Sequence, residues 1–105
     1  MFLKKEKQMI DIKNYNNENI FAKILRNEIP SAKVYENDHV YAFNDINPQA
    51  KIHVLIIPKA NYCSFNDFSE NASPTEQANF YKSIKVIAKK LELNNGYRLT
   101  TNIGK

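Results

Sequence analysis

Val40-Tyr41-Ala42-Phe43-Asn44-Asp45-Ile46-Asn47-Pro48-Gln49-Ala50-Lys51-Ile52-His53-Val54-Leu55-Ile56-Ile57-Pro58 places two apolar runs on either side of a polar loop. The first run, residues 40–43, is β-branched and aromatic. The second, residues 53–57, is closed by a proline. Both compositions favour strands. Four consecutive aliphatics in the second run predict a strand covered on both faces. Alternation sends His53, Leu55 and Ile57 to one face of that strand and Val54 and Ile56 to the other. Asp45-Ile46-Asn47-Pro48 has the composition of a loop.

Upstream, residues 33–36 form a short β-prone run, and Glu36-Asn37-Asp38 supplies a turn, which predicts a hairpin with residues 40–43. Before that, Asn19 suits a helix N-cap, because its side-chain oxygen can accept an otherwise unpaired backbone N–H. Ile20, Phe21, Ile24 and Leu25 then make one apolar stripe. Pro30 is expected to stop this helix, since the residue before a proline is pushed out of the helical region. Residues 1–18 read as a flexible leader. Their apolar run is too short for a signal-peptide core.

Downstream, residues 61–71 read as a loop with room for one helical turn. Ser73-Pro74-Thr75-Glu76 is a capping box with proline at the first helical position. The helix it opens carries Phe80, Ile84, Ile87, Ala88 and Leu91 on one face and Lys82, Lys85 and Lys89 largely on the other. Asn95-Gly96 is the expected terminator, glycine being suited to a left-handed position. Residues 97–101 predict a fourth strand, and Asn102-Ile103-Gly104-Lys105 opens a turn. The order α-β-β-β-α-β, with short early connections, indicates an α+β domain of helices on one antiparallel sheet, spanning residues 19–105.

The chain has 105 residues, 43% of them hydrophobic and 11% aromatic, which suits one small globular domain. No apolar stretch approaches the roughly 18 residues a membrane span needs. The formal charge is +4, but its Lys and acidic residues are scattered, which describes a solvated, mildly basic surface rather than a nucleic-acid face. Cys63 is the one cysteine. It can make neither an internal disulfide nor a multi-cysteine zinc site, so it reads as a small, partly buried side chain in a reducing, cytoplasmic setting.

Two histidines and one aspartate are candidates for chemistry. His39 follows an Asn-Asp turn and reads as an exposed loop residue. His53 begins an otherwise aliphatic strand, so it is either a satisfied edge histidine or a contact to phosphate or metal. No second histidine stands at ligand spacing, which leaves a metal site little support. Asp45, between Phe43 and Ile46, either bonds its own turn backbone or accepts two ribose hydroxyls. No nucleophile elbow and no phosphate-cradling glycine loop is present, so the residues offer binding groups without a reacting group.

Several separate motifs resemble one family. Asn19-Ile20-Phe21-Ala22-Lys23-Ile24, Glu28-Ile29-Pro30, Tyr35-Glu36-Asn37-Asp38, residues 42–50, residues 53–59 and Gly96-Tyr97-Arg98-Leu99 are similar, in order and spacing, to the histidine-triad (HIT) family, Hint branch. The resemblance covers residues 19–104. It implies a nucleotide-binding hydrolase or transferase acting at the α-phosphate of nucleoside phosphoramidates or dinucleotides. In that chemistry the middle histidine of a His-x-His-x-His strand attacks phosphorus and is then released by water or another acceptor.

The resemblance assigns Ile20, Phe21, Ile24, Phe43 and Ile46 to the base and ribose pocket. Asp45 becomes the ribose-hydroxyl acceptor, His53 the histidine that supports the triad, and Asn102 the asparagine on the phosphate side. It implies a purine nucleotide such as AMP as ligand and a possible homodimer through the long helix and residues 97–101; no cofactor is expected, and the charge scatter and short apolar runs lead to no nucleic-acid or membrane partner. Its glycine-rich loop and the strand bearing the triad have no counterpart within the 105 residues. The expectation is therefore an incomplete HIT-like domain that lacks the last strand and is inactive as it stands. An active hydrolase whose sequence is cut short, and a non-catalytic nucleotide-binding or interaction module, are the alternatives.

Overall fold

The structure, a computed structural model, describes residues 15–48 and 50–101. Three helices and three strands follow one another as α1 (Ile20–Leu25), β1 (Lys33–Glu36), β2 (Val40–Asn44), β3 (Val54–Pro58), α2 (Phe65–Asn71) and α3 (Pro74–Lys90). The strands form one antiparallel sheet in the order β1-β2-β3. Residues 1–14 and 102–105, which include most of the expected leader and Asn102, lie outside the described residues. Asn16 and its neighbours are bonded into the start of α1: the Asn19 N–H donates to the Asn16 carbonyl at 3.0 Å, and the Arg26 guanidinium donates to the Asn17 carbonyl at 2.7 Å.

Strand alternation divides the core into two layers. Val40, Ala42 and Ile56 face Phe68, Phe80, Ile84 and Ile87 of α2 and α3. Tyr41, Phe43, Leu55 and Ile57 face Phe21 and Ile24 of α1. The sheet is thus covered on both faces, and the expected split of Leu55 and Ile57 from Val54 and Ile56 is observed. Burying each large apolar side chain contributes roughly 1.5–3 kcal/mol. At the hairpin turn, Asn37 Oδ1 accepts the His39 and Val40 N–H groups at 2.8 and 2.9 Å, while its Nδ2 donates to Ser83 Oγ at 2.9 Å. One side chain therefore closes the turn and ties it to α3. His39 itself is half-buried rather than exposed.

Four local expectations are corrected. Helix α1 ends before Pro30 because Asn27 adopts a left-handed conformation (φ 62°). The Glu28 and Asn27 N–H groups then bond the Lys23 and Ile24 carbonyls, a paired closure that satisfies the helix end. Helix α3 ends in the same way at Glu92 (φ 57°), with Leu93 bonded to Ala88 and Glu92 to Lys89, so Gly96 is not its terminator. The loop at 61–71 contains a full two-turn helix, α2, whose N-cap Ser64 accepts the Asp67 N–H at 3.0 Å. Finally, residues 97–101 form no strand and are mostly exposed. A strand exists only as part of a ladder, and this segment has no hydrogen-bonded strand beside it among the described residues.

The outer edge of β1 is protected. The register shifts between Lys33 and Tyr35, Lys90 Nζ takes the Val34 carbonyl at 2.6 Å, and Glu36 pairs with Lys59 and Lys33 at 2.6 and 3.5 Å. Bulges and charges of this kind discourage further strand pairing.

The capping box of α3 is complete: Ser73 Oγ accepts the Glu76 N–H and Glu76 Oε1 accepts the Ser73 N–H, both at 3.1 Å. Ser73→Ala is expected to remove about 1 kcal/mol. In a domain of this size that lowers the thermal midpoint by roughly 4–8 °C. Calorimetry of the two proteins checks it, and an unchanged midpoint would show that the box carries no stability.

Two carboxylates in this region hold a pH dependence. Burial pushes the Asp67 carboxyl up, but the Cys63 N–H at 2.9 Å and the Asn71 amide at 2.7 Å outweigh it and leave it lowered. The Ser73 backbone N–H, with the Tyr62 hydroxyl, holds Glu76 below its ordinary value. A carboxyl lowered by folding adds stability above its unfolded pKa, about 4, and loses it as pH falls through the folded value. The urea midpoint is therefore expected to stay level from pH 7 to about 5 and to fall below about 4. Asp67→Asn should flatten that acid limb, and an equally steep limb in the variant would rule Asp67 out as its source.

Candidate functional site

The site begins with the N-cap of α1. Asn19 Oδ1 accepts the Ala22 N–H at 2.8 Å, which starts the helix where Phe21 and Ile24 face the sheet. The Phe21 and Phe43 ring centroids lie 6.5 Å apart, and Phe43 also meets Tyr41 at 5.6 Å. Aromatic pairs at such distances pack favourably. Between α1 and the end of β2 lies a hollow of about 70 Å³. Ile20, Phe21, Ile24, Phe43, Asp45 and Ile46 all line it. These are the expected pocket residues other than Asn102. Ile29, Pro30, Ser31 and Leu55 also line it and were not anticipated. Leu55 shares its strand face with Ile57, so alternation alone could have added it.

Asp45 sits where β2 gives way to the loop. Its N–H donates to the His53 carbonyl at 2.9 Å, which extends the β2–β3 ladder by one step. Its Oδ1 accepts the Asn47 N–H at 2.9 Å, so the turn role is real. Its Oδ2 is buried and accepts no hydrogen bond among the described residues. That oxygen lies 3.5 Å from His53 Nε2, and the Asp45 side chain is only 1% exposed. A buried acceptor left without a hydrogen bond costs about 1–3 kcal/mol. A hydrogen-bond donor that reached Oδ2 would recover that cost.

The structure brings His53 against Asp45 but not into the hollow. His53 is also among the residues that border a larger groove beside β3. His39 lies at the far end of the hairpin, where its carbonyl accepts the Lys59 N–H at 3.0 Å. Cys63 is buried. Among the described residues no three His, Cys, Asp or Glu side chains gather as a metal ion requires, and no helix is long and apolar enough to cross a membrane.

Solved structures share this architecture. The HIT family hydrolase from Legionella pneumophila Philadelphia 1 aligns with a TM-score of 0.71 at 40% identity, covering 80% of this chain and 75% of that one. The histidine triad protein from Clostridium difficile aligns with a TM-score of 0.70 at 41% identity, covering 82% and 75%. The architecture is thus that of the HIT-like α+β domains. In sequence, the HIT domain profile matches residues 26–105. A 13.2 kDa HIT-like protein of Azospirillum brasilense is 44% identical over 93 residues, which are 88% of this chain and 76% of that protein. The chain belongs to the HIT family.

Proposed function

We propose that this chain binds a purine nucleotide such as AMP in the hollow between α1 and β2, within the lineage of nucleoside phosphoramidases and nucleotidyl hydrolases, and that the 105 residues alone do not turn such substrates over. The observation that carries the reading is Asp45, whose Oδ2 is buried without a hydrogen bond among the described residues and which lines a hollow together with Ile20, Phe21, Ile24, Phe43 and Ile46. The apolar side chains suit a base, and the carboxylate suits a ribose hydroxyl. Ile46, 77% exposed, would be covered by the base. Asn102 is proposed for the phosphate side. The histidine triad nucleotide-binding protein from Candida albicans is 34% identical with a TM-score of 0.63, over 77% of this chain and 54% of that one.

The inactivity rests on the histidine inventory. The 105 residues contain two histidines, His39 and His53, at opposite ends of the β2–β3 pair. Neither stands in a His-x-His-x-His run, so no nucleophile accompanies the supporting role proposed for His53. Removing a covalent nucleophile leaves only the small residual rate that binding groups provide. Cofactors are not needed for this reading. The proposed setting is the reducing cytoplasm, with self-association, if any, through α3 and residues 97–101.

Calorimetry with AMP is the test. Saturable heat at micromolar to millimolar AMP is expected, and a flat trace at millimolar AMP would reject the nucleotide reading. Hydrolysis of an adenosine phosphoramidate above the buffer rate by the purified chain would reject the inactivity.

A further inference from the structure

The lining of the hollow between α1 and β2 is apolar except at Ser31, Asn44 and Asp45. The nucleotide reading assigns Asp45 to the ribose. Asn44 ends β2 with its side chain exposed, and its backbone N–H donates to the Ala32 carbonyl at 2.9 Å. Ser31 is half-buried. Its Oγ lies 2.6 Å from the Tyr41 hydroxyl oxygen, a normal separation for an O–H···O bond. Tyr41 is buried on the α1 side of the sheet, beside Phe43.

One hydrogen bond between two hydroxyls uses one of their two protons. Among the described residues, each of these hydroxyls has the other as its one partner. Were Ser31 the donor, the proton of the deeper Tyr41 would be left without an acceptor, which is the costlier arrangement. Tyr41 therefore donates, Ser31 accepts, and the serine keeps its own proton to give. The backbone around Ser31 is fixed on both sides. Pro30 before it has a locked φ, and the Ala32 carbonyl after it is held by Asn44. A donor fixed in this way loses little freedom when a ligand takes its proton.

We propose that Ser31 reads the edge of the bound base: its hydroxyl, oriented by Tyr41, donates one hydrogen bond to a ring nitrogen of the purine. The inference rests on the nucleotide reading and adds to it the polar contact that selects the base. The faces of a purine suit the isoleucine and phenylalanine side chains of the hollow. Its ring nitrogens are acceptors that lose water on entry and need a donor. An ionised Asp45 has no proton to offer them. A ligand without the matching nitrogen would leave the Ser31 proton unpaired, and a site built this way rejects such a ligand.

Calorimetric titration of the intact chain with AMP and with its 1-, 3- and 7-deaza analogues tests this. Each analogue replaces one ring nitrogen by C–H. One of them is expected to bind about fivefold more weakly than AMP or worse, and the other two within about twofold of it. In Ser31→Ala, AMP should fall to the affinity of the sensitive analogue, which the substitution leaves unchanged. Tyr41→Phe keeps the serine hydroxyl but frees it to rotate, so the ratio between the two ligands should shrink without vanishing. Asn44→Ala should keep the ratio of the parent. A ratio compares two ligands on one protein, so partial loss of folded chain cancels in it.

Equal affinity for AMP and all three analogues in the parent chain overturns the proposal, and so does a ratio that persists in Ser31→Ala. A ratio lost in Asn44→Ala overturns it by moving the role to Asn44. An unchanged ratio in Tyr41→Phe overturns the orienting part of Tyr41. A parent chain that gives no heat with AMP or any analogue rejects the nucleotide reading itself, an outcome distinct from AMP binding without discrimination.

Discussion

Phe80→Ala is expected to cost about 3–5 kcal/mol, the range for deleting a large aromatic side chain from a packed core. Phe80 is 1% exposed, and its ring centroid lies 5.1 Å from that of Phe68 and 6.0 Å from that of Tyr81. It shares one layer with Val40 and Ile56 of the sheet and with Ile84 and Ile87 of its own helix. The hole left behind would therefore open where α2, α3 and the sheet meet. Small domains have only about 5–15 kcal/mol of stability in all. The variant should be largely unfolded at 37 °C, visible as lost far-UV ellipticity and a urea transition shifted to near zero denaturant. Phe80→Leu, which keeps most of the volume, should retain a cooperative transition. An alanine variant within about 1 kcal/mol of the parent would mean that α3 is anchored elsewhere.

Asp45→Asn should leave the fold intact and weaken AMP at least tenfold. Asparagine can present its own Oδ1 to the Asn47 N–H, so the turn survives. What the variant removes is the carboxylate charge, 3.5 Å from His53 Nε2 in the lining of the hollow. A hydrogen bond to a charged group contributes roughly 1.5–3 kcal/mol, and about 1.4 kcal/mol is a factor of ten in affinity. Paired calorimetry and urea melts separate the two effects. Unchanged AMP affinity would remove Asp45 from the binding site. A large loss of stability would assign the carboxylate to the fold instead.

Much of the fold was legible because it is written in short-range patterns. The composition of residues 40–43 and 53–57 announced two strands, and alternation in the second gave the faces of Leu55 and Ile57 against Val54 and Ile56. The Ser73 to Glu76 box announced α3 and its first residue. Helix ends were less legible. Asn27 and Glu92 close α1 and α3 in left-handed conformations, and a glutamate carries no visible signal for that role. Helix α2 was under-read because Ser64 and Asp67 form a weaker cap signature than Ser73 and Glu76. The strand expected at 97–101 failed for a different reason. Its residues have strand propensity, but propensity does not supply a ladder partner.

The site divides along the same line. Ile20, Phe21 and Ile24 belong to one helix face, and Phe43, Asp45 and Ile46 to one strand end, so each trio could be found locally. Their convergence on one hollow could not, because α1 reaches β2 only through packing across the sheet. Ile29, Pro30 and Ser31 were missed as lining residues for that reason: no local pattern singles them out, and they matter only by where the chain returns.

The two edges of the sheet differ in valency. The β1 side is occupied by the lysine bonded to Val34, the shifted register and the Glu36 ion pairs. Among the described residues the β3 side pairs with β2 alone and borders the larger groove. Open-ended polymerisation through strand pairing needs two receptive edges on every molecule, so that each addition exposes a new one. With a single receptive edge, every pairing event is terminal. Association through this sheet should therefore stop at one added strand, and concentrated solutions should yield discrete complexes rather than fibres.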